Sequence, residues 1–310
     1  MKKSRLRMLS AAAVAALLTT GAARVNPATP TLLIDQDFPD PAVLQTTQGY
    51  YAYATHTRDG KIPYALAANA HGPWKVQGDA LARTPSWAKP DTTFWAPDVG
   101  RTGYGQYRMY FSAQLPSDNR MCVGTATANS PAGPFNPVDT APLVCPPEDN
   151  GDIDPQSFVD GDGKHYLLYK SNAMPTTIWL QEVTNDGGTL VGSRIPLIHA
   201  DRPEERDDVE APSLVKSGSS YVLFYSADTF ASSSYHTGYA TSSALKGPYT
   251  KAEQPLLTMA GLNNQVNGPG GADVVANTIF FHGWLAADHH NGRGMYSLPL
   301  RFEGGKPQLG

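Results

Sequence analysis

The sequence predicts an all-β chain wound into a five-bladed β-propeller, with four-stranded blades around a central channel. Three observations carry that expectation. A strand-like motif recurs five times, opening at Tyr50 (YYAYAT), Tyr107 (YRMYFS), Tyr166 (YLLYKS), Tyr221 (YVLFYS) and Thr278 (TIFFHG), in steps of 57, 59, 55 and 57 residues. The composition, with 29 Gly, 26 Pro and 10% aromatic residues in 310, suits short strands joined by tight turns. No recurrence contains the periodic apolar stripe of a long helix.

Within each unit the order repeats. Ahead of the strand motif lies a second apolar-ended segment: DPAV at Asp40, APDV at Ala96, DPQSFV at Asp154, EAPSLV at Glu210 and GGADVV at Gly270. Their terminal valines, Val43, Val99, Val159, Val215 and Val275, step by 56, 60, 56 and 60 residues. A third mark, Gly-Pro-aromatic, sets a turn before a strand at Gly72-Pro73-Trp74, Gly133-Pro134-Phe135 and Gly247-Pro248-Tyr249. A unit of this length holds about four strands, and units repeated radially make blades. A linear stack would need capping ends, which the sequence does not display. Residues 24–310 therefore read as one domain.

Residues 1–23 read as a secretory signal peptide. Lys2, Lys3, Arg5 and Arg7 precede the apolar run Met8–Leu18, and small residues follow at Gly21-Ala22-Ala23. The run is too short to span a bilayer comfortably. The expected product is a secreted, extracellular, monomeric protein with no membrane attachment after processing. The whole chain carries 24 basic against 28 acidic residues. Loss of the four basic residues of the leader leaves 20 against 28, a net charge of −8. So acidic a chain lacks the field that nucleic acid or an anionic membrane requires. In an oxidising compartment Cys122 and Cys145, about two dozen residues apart, are expected to form a structural disulfide worth roughly 3 kcal/mol. Neither lies in a zinc-type spacing, and no metal site is assigned.

The chemistry follows from three carboxylates. Asp40, Asp154 and Glu210 open the first segments of blades one, three and four, so the repeat brings them to one mouth of the channel in a common register. Singly, each is an ordinary turn or loop acid. Together they match what glycoside hydrolysis needs: one carboxylic acid to protonate the leaving oxygen and one carboxylate to activate water. A third negative charge keeps the acid protonated. A carbohydrate-binding propeller without catalysis would need aromatic platforms but not three converging acids.

Five stretches, FPDPAV, TFWAPDV, IDPQSFVDGDGKHYLLY, DVEAPSLVKSGSSYVLFYS and GPGGADVV with FHGW, resemble glycoside hydrolase family 43 over essentially all of the mature chain. That resemblance implies a five-bladed propeller and inversion of configuration. It assigns Asp40 as general base, Asp154 as pKa modulator and Glu210 as general acid. Inversion sets base and acid roughly 6.5–9.5 Å apart. Phe94 and Trp95 begin the second blade's inner segment, where an aromatic face stacks on a sugar ring. With Asn172, which follows a strand, and His282 they are candidate substrate contacts; the resemblance adds Arg293, reaching the sugar or the base. His56, His236, His289 and His290 follow strands in loops near the rim. Many arabinan-cleaving relatives have His after GPG, holding a channel cation; here that position is Gly271. No cofactor is required, and a structural calcium near His282 is a secondary expectation. The acidic run Pro203–Asp208 reads as a solvated loop whose charge favours a protonated Glu210.

The GPGGADVV and FHGW segments resemble exo-acting α-L-arabinofuranosidases that work on α-1,5-linked arabinan. The expected partner is thus plant cell-wall arabinan or its oligosaccharides. An endo-arabinanase and a β-xylosidase of the same fold are the alternatives.

Overall fold

The computed structural model describes residues 29–286 and 290–310. The leader segment and His289 lie outside the described residues. Among the described residues no helix is long and apolar enough to cross a membrane.

Strand β1 (Thr31–Ile34) precedes the first blade, which is β2 (Ala42–Thr46), β3 (Gly49–Tyr53), β4 (Pro63–Ala67) and β5 (Lys75–Asp79). Blade two is β6 (Trp95–Arg101), β7 (Tyr107–Gln114), β8 (Met121–Ala128) and β9 (Asn136–Pro137). Blade three is β10 (Asp152–Val159), β11 (His165–Ser171), β12 (Thr177–Val183) and β13 (Leu190–His199). Blade four is β14 (Val209–Ser217), β15 (Ser220–Ala227), β16 (His236–Ser242) and β17 (Thr250–Lys251). Blade five is β18 (Asn267–Val275), β19 (Thr278–Trp284) and β20 (Arg293–Glu303), with β21 (Lys306–Leu309) beyond. Its fourth strand is β1, which pairs antiparallel with β20 and so closes the ring with the chain's other end.

The innermost strands β2, β6, β10, β14 and β18 pack in ring order around the channel. The five recurring Val-ended segments are these strands, and the five strand motifs are their immediate neighbours. Each Gly-Pro-aromatic mark leads into an outermost strand, β5, β9 or β17. Five apolar clusters fill the five interfaces between blades. Tyr53, Phe94, Phe111 and Phe135 seal blades one and two, whereas Phe224, Leu257, Phe281 and Tyr296 seal four and five. Each such buried side chain contributes roughly 1.5–3 kcal/mol.

The inner strands share one backbone device. Asp40, Ala96, Asp154, Ala211 and Gly271, one per blade, adopt left-handed conformations with φ of 53°, 40°, 55°, 48° and 57°. In blades two to five the pairing register shifts at this point. Such a bulge re-aims the side chain it carries, and a left-handed non-glycine residue costs on the order of 1–3 kcal/mol. Surrounding structure offsets that cost by receiving the N–H of the bulged residue. The Ala96 N–H donates to Thr55 Oγ1 (2.7 Å), that of Ala211 to Asp154 Oδ2 (2.9 Å) and that of Gly271 to Ser226 Oγ (2.8 Å). Each bond links one blade to the next.

Cys122 and Cys145 are joined in a disulfide with Cα atoms 4.9 Å apart, tying β8 to the segment ahead of β10.

Candidate active site

Asp40, Asp154 and Glu210 line one cavity of about 410 Å³ at the channel mouth, with Thr55, Trp95, Asp208, Thr229, Phe230, Tyr235 and Arg293. The expected common register needs correction. Asp40 and Asp154 occupy the left-handed bulge position, but in blade four that position is Ala211, and Glu210 stands one residue earlier. The blade-four acid therefore enters the cavity from the opposite side of the pleat from the other two.

Asp40 is surrounded by donors. Thr55 Oγ1 donates to its Oδ2 at 2.6 Å, and Arg293 donates from Nη1 to Oδ1 at 3.1 Å and from Nη2 to Oδ2 at 3.4 Å. Its own N–H donates to His282 Nδ1 at 3.1 Å. Burial alone would raise the Asp40 carboxyl, but the Arg293 guanidinium, His282 and Thr55 outweigh it and hold the group well below the usual carboxylate range. Asp40 is thus a buried carboxylate fixed in its ionised form.

Asp154 is the converse. Burial and the negative charge of Glu210 push its carboxyl well above the ordinary value, against the pull of Lys170 and the Ala211 N–H. Asp40 and Asp154 thus carry opposite perturbations, and only Asp40 is suited to act as a base.

Glu210 is gripped on both oxygens. The Tyr235 hydroxyl donates to Oε1 at 2.7 Å, and Lys170 Nζ donates to Oε2 at 2.9 Å. The Tyr235 ring stacks on His282 with centroids 5.8 Å apart and planes 5° from parallel. Burial and the charges of Glu210 and Asp40 raise the Tyr235 hydroxyl well above its usual value, so it remains a donor.

The candidate substrate contacts divide. Arg293 and Trp95 reach the cavity, and Trp95 is 38% exposed with its indole N–H held by Thr93 Oγ1. Phe94 does not: it is fully buried and packs edge-on against Phe111 at 5.4 Å. Phe94 lies just ahead of β6 and turns into the core between blades one and two, whereas Trp95 opens the strand at the cavity. His282 is also fully buried and acts from behind, orienting Asp40 rather than facing the cavity. Burial and Arg293 lower its pKa, which keeps the ring neutral. Asn172 lies in an adjoining cavity with Gln114, Asn119, Arg120 and Asn150, and Trp95 is shared by both. His56 and His290 are exposed, and His236 is buried.

The acidic run is not a uniform solvated loop. Glu205 is buried and clamped by Lys251 at 2.7 Å, while accepting the N–H groups of Asp201 and Arg202. Asp208 turns inward to Lys170 at 2.7 Å.

Two acids of the channel are already engaged by protein donors. Asp273 spends both oxygens on Val43 N–H, Ser213 Oγ and Val274 N–H, and Asp98 Oδ2 accepts both donors of Ser157. No group of three or more acidic, His or Cys ligands converges among the described residues. A side chain at 271 is also excluded by space: a Cβ there would lie 2.6 Å from His282 Nδ1 and 3.0 Å from Asp40 Oδ1. The His282 ring from β19 fills the room that a side chain from β18 would need.

Sequence reasoning passed over Thr55, Lys170, Phe230 and Tyr235. Thr55 ends the blade-one strand motif, where Ser226 ends that of blade four, so the recurrence held a signal for it. Tyr235 had none locally. It reaches Glu210 only because Gly270 leaves room, a Cβ there falling 2.1 Å from the Tyr235 ring.

Known proteins resemble the chain in sequence and in fold. The chain is 27% identical over 266 residues to the extracellular endo-α-(1→5)-L-arabinanase 1 of Bacillus subtilis (strain 168), covering 81% of each. A thermostable family-43 glycoside hydrolase superposes with a TM-score of 0.77 at 26% identity, over 92% of this chain and 95% of the other. An endo-1,4-β-xylanase from Bacteroides thetaiotaomicron VPI-5482 does so with 0.75 at 26%, over 90% and 97%. The model of glycosyl hydrolases family 43 matches residues 30–298, nearly the whole propeller, and the chain belongs to that family of glycoside hydrolases.

Proposed function

We propose that this protein is a secreted, inverting exo-α-L-arabinofuranosidase that takes L-arabinose from α-1,5-linked arabinan or arabino-oligosaccharides. The observation that carries the reading is the single cavity that Asp40, held ionised by Arg293, lines together with Glu210 and Asp154.

Asp40 accepts a proton from water as the water oxygen bonds to the anomeric carbon from one face. On the other face the glycosidic C–O bond breaks, its electron pair leaves on oxygen, and Glu210 supplies the proton that oxygen takes. Asp154, buried beside Glu210, positions the acid. Arg293 and Thr55 keep Asp40 anionic until water gives up its proton. No step is routed through a metal ion.

Arabinan as the polymer is favoured by the substrate named for the Bacillus subtilis relative. End-wise attack is favoured by the shape of the cavity. On one side Arg293 packs over the Phe230 ring at 5.0 Å, and the Phe230 carbonyl accepts the Trp284 indole N–H. On the other side space continues past Trp95 to Asn172. A terminal sugar fits the walled side, with the leaving chain running past Trp95. The same continuation favours the endo reading as the second choice, because a groove beyond Trp95 would hold several residues of a chain.

Debranched arabinan and 4-nitrophenyl α-L-arabinofuranoside, with NMR of the first-released anomer, test the proposal. Arabinose of inverted configuration is expected as the sole early product. A ladder of oligomers from the polymer overturns end-wise attack, and the retained anomer overturns the roles of Asp40 and Glu210. Glu210→Gln should lower kcat by about 10²–10⁴-fold.

A further inference from the structure

One position recurs in every blade but receives the next blade's bulged N–H in only three of them. The residue just ahead of each left-handed bulge pairs across to the second strand of its blade, and the partner is Ser112 opposite Trp95, Lys170 opposite Ile153, Ser226 opposite Glu210 and His282 opposite Gly270. In blade one Thr55 takes the place, donating its N–H to the Pro39 carbonyl. Thr55, Ser226 and His282 each accept the N–H of the next blade's bulged residue. Blade three instead carries an ammonium, and the Ala211 N–H it would serve goes to Asp154.

That ammonium is buried, with 6% of the Lys170 side chain exposed. It bonds Asp208 Oδ1 at 2.7 Å and Glu210 Oε2 at 2.9 Å, and Asp154 also faces it. Thr176 fixes the other partner, with its Oγ1 3.2 Å from Asp208 Oδ1 and receiving the Val209 N–H at 2.7 Å. A proton donor beside a buried cation is a stronger acid than catalysis at neutral pH can use, unless a further anion tempers the cation. Asp208 is that anion. Its side chain is 29% exposed, so it stands between the buried pair and solvent.

We infer that Lys170 and Asp208 are positioning residues acting in opposition on Glu210: Lys170 stabilises the carboxylate left when the proton passes to the leaving oxygen, and Asp208 restrains Lys170 so that Glu210 still holds its proton when substrate arrives. This rests on Glu210 being the acid. The groups that face Glu210 are Lys170 from β11, Asp154 from β10, Asp208 upstream and the Tyr235 hydroxyl ahead of β16, with Asp40, Arg293 and His282 across the cavity. Burial and Glu210 raise the Asp208 carboxyl, while Glu210 and Asp208 together more than offset the effect of burial on the Lys170 ammonium and raise it.

The test is the alkaline limb of kcat/KM for 4-nitrophenyl α-L-arabinofuranoside and for an arabino-oligosaccharide. Asp208→Asn should move that limb down by about half to one pH unit, and Lys170→Met should move it up by about one unit or more. Lys170→Met should also slow the oligosaccharide, whose leaving group needs the proton, at least tenfold more than the aryl substrate. A merely structural role would lower the amplitude in both variants without displacing the limb. Shifts of the same sign, or no shift with the melting curve intact, overturn the proposal. If Lys170→Met does not fold, Asp208→Asn decides alone: a limb that stays or rises overturns it. Glu210→Gln is run alongside, and retained oligosaccharide hydrolysis there sinks the assignment of the acid itself rather than the pairing.

Discussion

At the residue scale the site is a contrast between two aspartates of identical backbone conformation. Asp40 and Asp154 sit on equivalent bulges, yet one faces Arg293 and the other faces Glu210. The neighbour, not the residue, sets the charge. A base must be ionised, and the ionised form is lost as pH falls through its pKa, which Arg293 holds low. Arg293→Met should therefore shift the acidic limb of kcat/KM upward by about one unit or more and lower its plateau by about 10–100-fold. A limb left in place would show that Thr55 and His282 suffice. Residue identity was legible in the sequence where chemistry recurs with the repeat, as for Asp40, Asp154 and Glu210, whereas Arg293 came from the family resemblance alone. It was not legible for Lys170 or Tyr235, because their partner lies 40 and 25 residues away, across a blade interface for Lys170 and across the blade-four sheet for Tyr235. Phe94 and His282 were misplaced for a simpler reason: both are fully buried rather than facing the cavity.

At the scale of the element, the bulge is the unit of design. The recurrence announced five inner strands and their partners, and the structure has them. What it could not announce was the phase of the acid in blade four, since EAP and DPQ look interchangeable until the left-handed residue is located. Nor did it announce β1, whose pairing with β20 joins residues more than 250 apart and leaves no local trace. The GPGG segment of β18 was legible as a departure, and its cause is steric. Gly270 and Gly271 admit the Tyr235 ring and the His282 ring, each within contact distance of a Cβ that is not there. Gly270→Ala should displace Tyr235 from Glu210, lower kcat by about tenfold or more, and destabilise the fold by roughly 1–3 kcal/mol through overpacking. Gly268→Ala, on the same strand but against Ser232 and Trp284, should destabilise through its positive φ. If both substitutions melt alike and only total stability tracks activity, the glycine at 270 is not serving Tyr235.

At the scale of the whole molecule, the ring is closed by polar bonds around the channel as well as by apolar seams. Asp273 joins blade five to blades one and four through Val43 and Ser213, and Asp98 joins blade two to blade three through Ser157. These acids were visible in the APDV and GGADVV segments, but only the closed ring reveals that Asp273 acts on Asp98 within a buried channel. Burial, opposed by Ser157 and reinforced by Asp273, pushes Asp98 up to about 7. The sign of the stability effect follows. Between about pH 4, where the unfolded carboxyl ionises, and about pH 7 the native state binds the extra proton, so stability falls as pH rises across that window and levels off above it. Asp40 has the opposite sign: its low pKa adds stability that is lost only on acidification below about pH 4. Asp98→Asn keeps an acceptor for Ser157 and removes the titration, worth at most on the order of 4 kcal/mol. Melting temperatures from pH 5 to 8 should therefore decline less steeply in Asp98→Asn than in the parent, with the variant gaining most at pH 8. Asp154, Asp208 and Asp273, all raised as well, leave a residual slope in the variant. Parallel melting profiles for the two proteins would mean that Asp98 is ionised throughout, and that the channel bonds it makes are those of a carboxylate rather than of a shared proton.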